Sequence, residues 1–498
     1  MPDNILATRK HDFYTARNNQ IERNLACFRG GQPYIDLRLT RFPCEPEASW
    51  SGKAQAVNDK FWNIGQLDGI QGRKERAFLI NYAGRIVTKY NQFIFGQDIH
   101  RAGIDETFAD NATRTGLSIN RTMRRLAGLA HAGGWAWLGV DRMASAIDPA
   151  TGLPTQQSIA DKARRGDRVF WSIWDATQVI DWEFDNGGGL AWLITEQQTY
   201  NSPNPRQAPI AEIVRTLWEP NEYTRLVIDP KSKEVKTETS GPVPAGQVPF
   251  IPAGIPTNQP HWFDDAERIQ ASLLNLESAH NENLIQAVFP QLVIPEELVQ
   301  AVMEQAKVSY ADAAELVRGL NYPILEPAES KGITRYIMPN GQDLKAIPDE
   351  ILRRRRELFD IAGIGMQNKE TRQAQSAESK GWDFLDTEAT LRDFSQEWKE
   401  TEEKAIEISR KIDSSFKDYT PVYPAEFDVS DVKSQMESLM MLQNMDLPDA
   451  GAKELLKASV ALQSRIVKID PERLEEIYAE IDAQDLEALA AAQAKTFM

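Results

Sequence analysis

The chain is poor in the residues that carry most catalytic and metal chemistry. Among 498 residues there are two cysteines and five histidines. Cys27 and Cys44 lack zinc spacing and cannot form a disulfide framework, so folding in a reducing cytoplasm is expected. Cys27 is expected on a helix face as a small apolar side chain. The histidines at 11, 100, 131, 261 and 280 stand apart, without HExxH and without a cysteine at ligand spacing, so no metal site is expected. His280-Asn-Glu282 has the spacing of a deaminase HxE, but the CxxC partner is missing. Gly52-Lys53-Ala54 lacks the earlier glycine and the hydroxyl of a phosphate loop, and there is no GxSxG elbow. Carboxylates are abundant, yet nothing sets one pair apart as acid and base. Neither an enzyme nor a cofactor is expected. No run approaches the roughly 20 apolar residues of a membrane helix, and the first ten residues lack the apolar core of a secretion signal.

Positive charge is also in deficit, at −17 net. That argues against a protein that grips nucleic acid through many phosphate contacts. It fits ordinary solubility, and equally a surface past which nucleic acid slides. The one basic run is Arg353, Arg354, Arg355 and Arg356. Successive helix positions lie about 100° apart, so only one or two of the four can face one partner. Salt bridges to acids of neighbouring helices and contact with passing phosphate are the two readings.

With 42% hydrophobic and 26% charged residues, the composition is that of a folded globular protein with two to four domains. Residues 9–28 read as a helix, with Phe13, Ala16, Ile21 and Leu25 inward and Gly30-Gly31 ending it. Residues 32–52 are loop-like. Residues 73–90 read as helix, 91–95 as a short strand or turn, and 105–128 as a helical run carrying Arg121, Arg124 and Arg125, ended by Gly133-Gly134.

From 135 to 229 the period falls to two. The pattern predicts a mostly antiparallel meander with turns at 185–189 and 219–221. Seven of the 12 tryptophans (135, 137, 171, 174, 182, 192 and 218) lie there. They are expected mainly in the core, with a lectin-like surface as the alternative. The Pro-rich stretch 241–252 reads as an exposed linker.

Residues 262–288 form one uninterrupted helical pattern with Asp264 as N-cap and an apolar face of Ile269, Leu273, Leu276, Leu284, Ala287 and Val288. Its length would be roughly 35–40 Å. A compact insert follows, with strands at 291–294, 322–325 and 333–338 and a helix over 296–320. The chain then passes through the stretch around which the rest is arranged. A helix at 343–362 ends at Gly363 and Gly365, and residues 363–374 form a polar break. A longer helix from about 375 to 412 carries Trp382, Leu385, Ala389, Phe394, Trp398, Ala405, Ile408 and Ile412 as a stripe. Residues 419–424 read as linker. Helices are expected over 429–445, with Ser430 as N-cap, over 448–465, and over 471–490 behind Asp470-Pro471. Met436, Met440, Met441 and Met445 sit at helical spacing as core or as a partner groove. Residues 470–487 hold eight acids against Arg473, a local −7 that keeps one face solvated.

The order of mixed α/β body, long helix, small α/β insert, long helix, polar loop, longer helix and helical C-terminus resembles the portal proteins of tailed bacteriophages. The residues carrying the resemblance are Val248-Pro-Phe leading into the helix at 264–288, Leu358-Phe-Asp-Ile-Ala-Gly-Ile before the polar break, Ala377-Glu-Ser-Lys opening the long helix, and the segment from 429 onward. It spans nearly the whole chain by architecture and rests on order more than on any one motif.

The resemblance implies a mixed α+β, helix-rich, ring-forming fold with wing, stem, clip and crown. Residues 1–262 and 376–418 would be the wing, 263–288 and 343–362 the stem, 289–342 the clip, 363–375 the tunnel loop and 419–498 the crown. It implies a homo-oligomeric ring, usually of twelve subunits, at one capsid vertex of the virion, assembled in the host bacterial cytoplasm beside the major capsid or scaffold protein. Double-stranded DNA would pass through during packaging and ejection, while terminase and head-tail adaptor proteins meet the clip. Gln367, Asn368, Lys369, Thr371 and Arg372 would face the duplex. Contact through so few basic groups would be weak, salt-sensitive and blind to sequence, and the acidic charge repeated around a ring would make the bore repulsive. The alternatives are another ring-forming virion adaptor, which the length disfavours, and a cytoplasmic oligomeric scaffold that oligomerises through 264–412 without DNA.

Overall fold

A computed structural model describes residues 5–41, 69–97, 99–142, 168–201, 206, 208–288, 291–307, 324–326, 335–337, 343–363, 377–417, 419–425, 427, 449–464 and 471–483. The fold is mixed α/β and helix-rich. The chain divides into two compact units, residues 1–373 with 389–425, and residues 374–388 with 426–498.

The first unit opens with α1 (Asp12–Arg29). His11 caps it by accepting from the Phe13 N–H at 3.0 Å, and its ring stacks on Trp182 at 4.2 Å, which fixes the helix start against the sheet. Gly30, at φ 68°, ends it. Cys27 is buried in its face, as expected. The chain does not then enter a loop: α2 (Gln32–Arg38) forms, with Pro33 in the first turn, where no amide N–H is required.

The expected helix over 73–90 is two helices, α3 (Gly69–Arg76) and α4 (Tyr82–Phe95). Asn81 causes the break. Its Oδ1 accepts from the Gly84 N–H at 2.8 Å, while its Nδ2 donates to the Cys27 and Phe28 carbonyls at the end of α1. Residues 91–95 are the last turns of α4 rather than a strand, because Ile94 and Phe95 continue the buried face of Ile86, Val87 and Tyr90. The run after 105 is α5 (Glu106–Asp110) and α6 (Ile119–Gly133), the latter capped by Ser118 and closed by left-handed Gly134.

The β region holds two sheets, not one. β2 (Ala136–Arg142) lies between β3 (Val169–Asp175) and β9 (Phe250–Ala253). A five-stranded antiparallel meander runs β4 (Val179–Phe184), β5 (Leu190–Asn201), β6 (Ile210–Trp218), β7 (Glu222–Ile228), β8 (Val235–Pro242). Trp135, Trp137, Trp171 and Trp182 are buried, while Trp174, Trp192 and Trp218 are half-buried. The presumed linker after 241 is therefore structural. It closes β8 and supplies β9, with Val248, Phe250 and Ile251 buried. Proline is tolerated because β9 is an edge strand.

The other presumed linker, 419–424, contains β13 (Thr420–Val422), which pairs with β1 (His100–Ala102). What holds it is Glu402, fully buried on α10 (Ala377–Ile412). Arg101 grips both carboxylate oxygens at 2.8 and 3.0 Å, Tyr423 donates at 2.6 Å, and Tyr419 donates as well. Of the stripe expected on this helix, Trp398, Ala405 and Ile408 are buried, Phe394 and Ile412 are half-buried and Ala389 is exposed, while the side chains of Trp382 and Leu385 lie outside the described residues.

The insert is a small sheet in which β10 (Gln291–Pro295) lies between parallel β11 (Ile324–Glu326) and antiparallel β12 (Arg335–Ile337), with α8 (Glu296–Ala306) following β10. The expected continuation of α8 to 320 lies outside the described residues. In the second unit, α11 (Asp449–Ser464) and α12 (Pro471–Ala483) are joined by a Lys457–Asp482 ion pair at 2.7 Å. The expected helix at 429–445, with its four methionines, lies outside the described residues, as does Cys44.

Removing one member of a buried ionic cluster leaves the others uncompensated, at a typical loss of about 3–5 kcal/mol. Glu402→Ala should lower the unfolding free energy by that order in urea titration. Lys404→Ala, on the exposed side of the same helix, should stay within about 0.5 kcal/mol.

Candidate functional site

Two long helices flank the insert in sequence, and one of them carries the four arginines singled out by sequence. They are α7 (Trp262–Val288) and α9 (Asp343–Ile361), which pack along one another on either side of the insert.

α7 is fixed to the body by a line of polar groups at helical spacing, which the apolar pattern did not reveal. Asp264 is not the N-cap but the third residue of the helix, and it reaches back to accept the His261 N–H at 3.0 Å. Arg17 binds the same carboxylate through two nitrogens at 2.8 and 3.0 Å, and Asn24 donates at 2.8 Å. Burial raises the Asp264 carboxyl, but these bonds outweigh it and leave it below the usual range. One turn on, fully buried Glu267 takes Tyr34 at 3.1 Å and Arg38 at 2.7 Å. Gln270 then accepts the N–H groups of Tyr82 and Ala83, the orphan donors at the start of α4, at 2.9 and 3.1 Å. Arg73 reaches Ser278 at 3.1 Å, and Arg76 forks onto Glu282 at 3.0 Å. Acids at 264, 267 and 282, an amide at 270 and a hydroxyl at 278, with arginines at 17, 38, 73 and 76, were the available signal.

Of the expected apolar face, Leu273 is buried, Ile269 and Leu276 are half-buried, and Leu284 is 43% exposed. The side chains of Ala287 and Val288 lie outside the described residues.

α9 ends at Gly363, φ 63°, as the sequence predicts. Its last turns meet α4: Leu358 is buried, Phe359 packs edge-on to Tyr82 at 6.3 Å, and the Tyr90 hydroxyl donates to the Ala362 carbonyl.

The four arginines divide by position. Arg353 and Arg354 are paired with Glu350 and Glu357 of the same helix, Arg354 at 3.0 and 3.2 Å. For these two the paired acids are intrahelical rather than on a neighbouring helix, whereas Arg355 faces Glu277 of α7. Hydrogen bonds from Arg353 hold the Glu350 carboxyl down to about 2. Arg355 lies over the Tyr82 ring at 5.1 Å. Arg356 is exposed and makes no ion pair with a described residue. One arginine of the four is thereby left for an outside partner. Gln367, Asn368, Lys369, Thr371 and Arg372 lie outside the described residues.

Facing α9 is Glu277, whose carboxyl burial pushes up to about 7, against the opposing pull of Arg355. The histidines at the base of the rods are also perturbed. Burial, reinforced by His261, drops the His131 imidazole to about 3. Burial drops His261 to about 4 despite Asp264. His131 is enclosed by Tyr90, Phe394 and Trp398, so both imidazoles are neutral structural groups at neutral pH. No group of three or more acids, histidines or cysteines placed to hold a metal occurs among the described residues. No helix among them is long and apolar enough to cross a membrane. No protein-family model matches the chain, and no curated protein matches it.

Because the folded pKa of Glu277 is raised, the folded state holds the extra proton between about 4.5 and 7, and stability falls as pH rises through that window. Glu277→Gln should therefore raise the melting temperature at pH 8 and leave it almost unchanged at pH 4. The gain is bounded at about 3 kcal/mol. Equal effects at both pH values would contradict the assignment.

Proposed function

We propose that this chain is a portal subunit, a ring-forming conduit for double-stranded DNA at a phage capsid vertex. The observation that carries the reading is the pair of packed rods, α7 and α9, with α7 anchored from Asp264 to Glu282 on a mixed α/β body and a small three-stranded insert between the two. A ring requires heterologous contacts that close on themselves, and stiff parallel rods supply a repeating wall. Leu284 and Leu352, both 43% exposed, lie along those rods. In a ring they meet the adjacent copy.

In this reading the wing is 1–262 with 376–418, the stem is 263–288 with 343–362, the clip is 289–342 and the crown is 419–498. The clip is the docking surface for terminase and then adaptor. The loop at 363–375 presents Gln367, Asn368, Lys369, Thr371 and Arg372 to the duplex. Intrahelical pairing of Arg353 and Arg354 is consistent with a wall that does not hold phosphate, and Arg356 remains an available cation among the described residues of the stem. Contact of that kind is sparse and electrostatic, so the duplex is guided without being retained.

The replacement Leu284→Asp with Leu352→Asp should convert rings to monomers in native mass spectrometry while leaving the melting temperature within a few degrees. Wild-type protein that remains monomeric at micromolar concentration and above would refute the portal reading. Deleting residues 367–372 should preserve the ring and lower the yield or retention of packaged DNA. Unchanged packaged length and yield would remove the loop from the mechanism.

A further inference from the structure

The first unit contains a second basic site, built around the three arginines of the helical run after 105. A half-open groove of about 770 Å³ lies among the end of α1, α4, α6 and β3. Arg121, Arg124 and Arg125 form one wall, exposed on a single face of α6 and without an ion pair to any described residue. Arg29 stands opposite, already paired to Asp175 at 2.9 Å, and Arg114 lies over the Phe170 ring at 4.1 Å. Five arginines against one carboxylate line this groove. The unit around it is only mildly acidic: residues 374–388 and 426–498 hold 19 acids and 8 bases, which is −11 of the chain's −17.

The floor supplies the other half of the recognition. Phe28 presents a half-buried ring, brought close to α6 because position 128 is glycine; a Cβ there would meet Phe28 Cζ at 3.0 Å. Asn91 is 4% exposed, and its Oδ1 has no hydrogen-bond partner. Its orientation is set by Nδ2, which donates to the Arg124 carbonyl at 3.3 Å. Asn91 Oδ1 is thus an unmet acceptor closed over beneath the floor, which a donating ligand meets once the side chain turns toward the groove.

We infer that this groove binds a nucleotide unit, with phosphate on Arg121, Arg124 and Arg125, the base against Phe28, and a base N–H on Asn91 Oδ1. Arginine forks suit phosphate oxygens, and stacking on an aromatic ring tolerates any base. An acidic peptide could satisfy the arginines, and its backbone N–H could meet Asn91, so what favours a nucleotide is the planar base that the Phe28 ring can stack. A paired base has its Watson–Crick donors engaged, so the ligand is a free nucleotide or an unpaired strand. The site is separate from the rods and does not depend on ring formation.

The test is fluorescence anisotropy on the full chain with a labelled 12-residue oligothymidylate, with dTTP, inorganic pyrophosphate and a polyglutamate peptide as competitors. Binding is expected for the strand, with dTTP competing if the free nucleotide is the ligand and failing if the strand is. Pyrophosphate and polyglutamate should compete at least tenfold less well than the better nucleotide ligand. The variant R121Q/R124Q/R125Q should lose at least tenfold in affinity at 50 mM salt. Its log–log salt slope should fall by about 2, at roughly 0.7 per phosphate contact on a single strand. Arg125→Glu alone should weaken binding in the same direction, which guards against a folding defect in the triple variant. Replacing Arg353–Arg356 with glutamine should leave binding intact. Absence of binding by either nucleotide probe, an unchanged slope in the triple variant, or equal competition by polyglutamate would overturn the inference.

Discussion

The organisation of the molecule depends on how one long helix is held. The first half of α7 turns acids and amides toward the body, and each meets a partner: Asp264 with Arg17 and Asn24, Glu267 with Tyr34 and Arg38, Gln270 with the open end of α4. Buried charge of this kind adds little net stability compared with apolar packing, but breaking it is costly. It therefore specifies register. A slip of α7 by one residue would leave Asp264, Glu267 and Gln270 unpartnered together, whereas an apolar face could tolerate the slip. The rod leaves the body at one defined place, and α9, docked through Leu358 and Phe359, returns to the same place.

That anchoring explains why rods can leave apolar side chains in solvent without endangering the fold. Core packing is concentrated elsewhere: in the tryptophans between the two sheets, in α6 against β2 and β3, and in α10, whose Trp398 packs on His131 and whose Ser409 accepts from Trp171 at 3.1 Å. Core packing thus lies mainly in the body rather than along the rods. The acidity is divided in the same way, with most of it outside the first unit.

Much of this was legible in sequence wherever a single period ran without interruption. α7, α10 and the hydrophobic strands follow from spacing alone, and Gly30, Gly134 and Gly363 mark helix ends through the conformation that only glycine adopts freely. The failures share one cause, which is long-range hydrogen bonding. Asn81 breaks a good helical pattern because α1 offers it two carbonyls. Segments 241–252 and 419–424 read as linkers because proline dominates them, yet edge pairing with β2 and β1 and the Glu402 cluster bind them in place. The stem arginines appeared as one basic cluster, whereas Glu350 and Glu357 neutralise two of them. The arginines at 121, 124 and 125 read only as part of a helical run, because Arg29, Asn91 and Phe170, far away in sequence, complete the site.

The central claim is that these rods line a bore built from copies of the chain. Averaged electron-microscope images of the purified, assembled protein viewed down its symmetry axis test it most directly. The account predicts a closed ring, with density for α7 and α9 around an opening wide enough for a duplex. Solitary particles, or open filaments without a central channel, would contradict it.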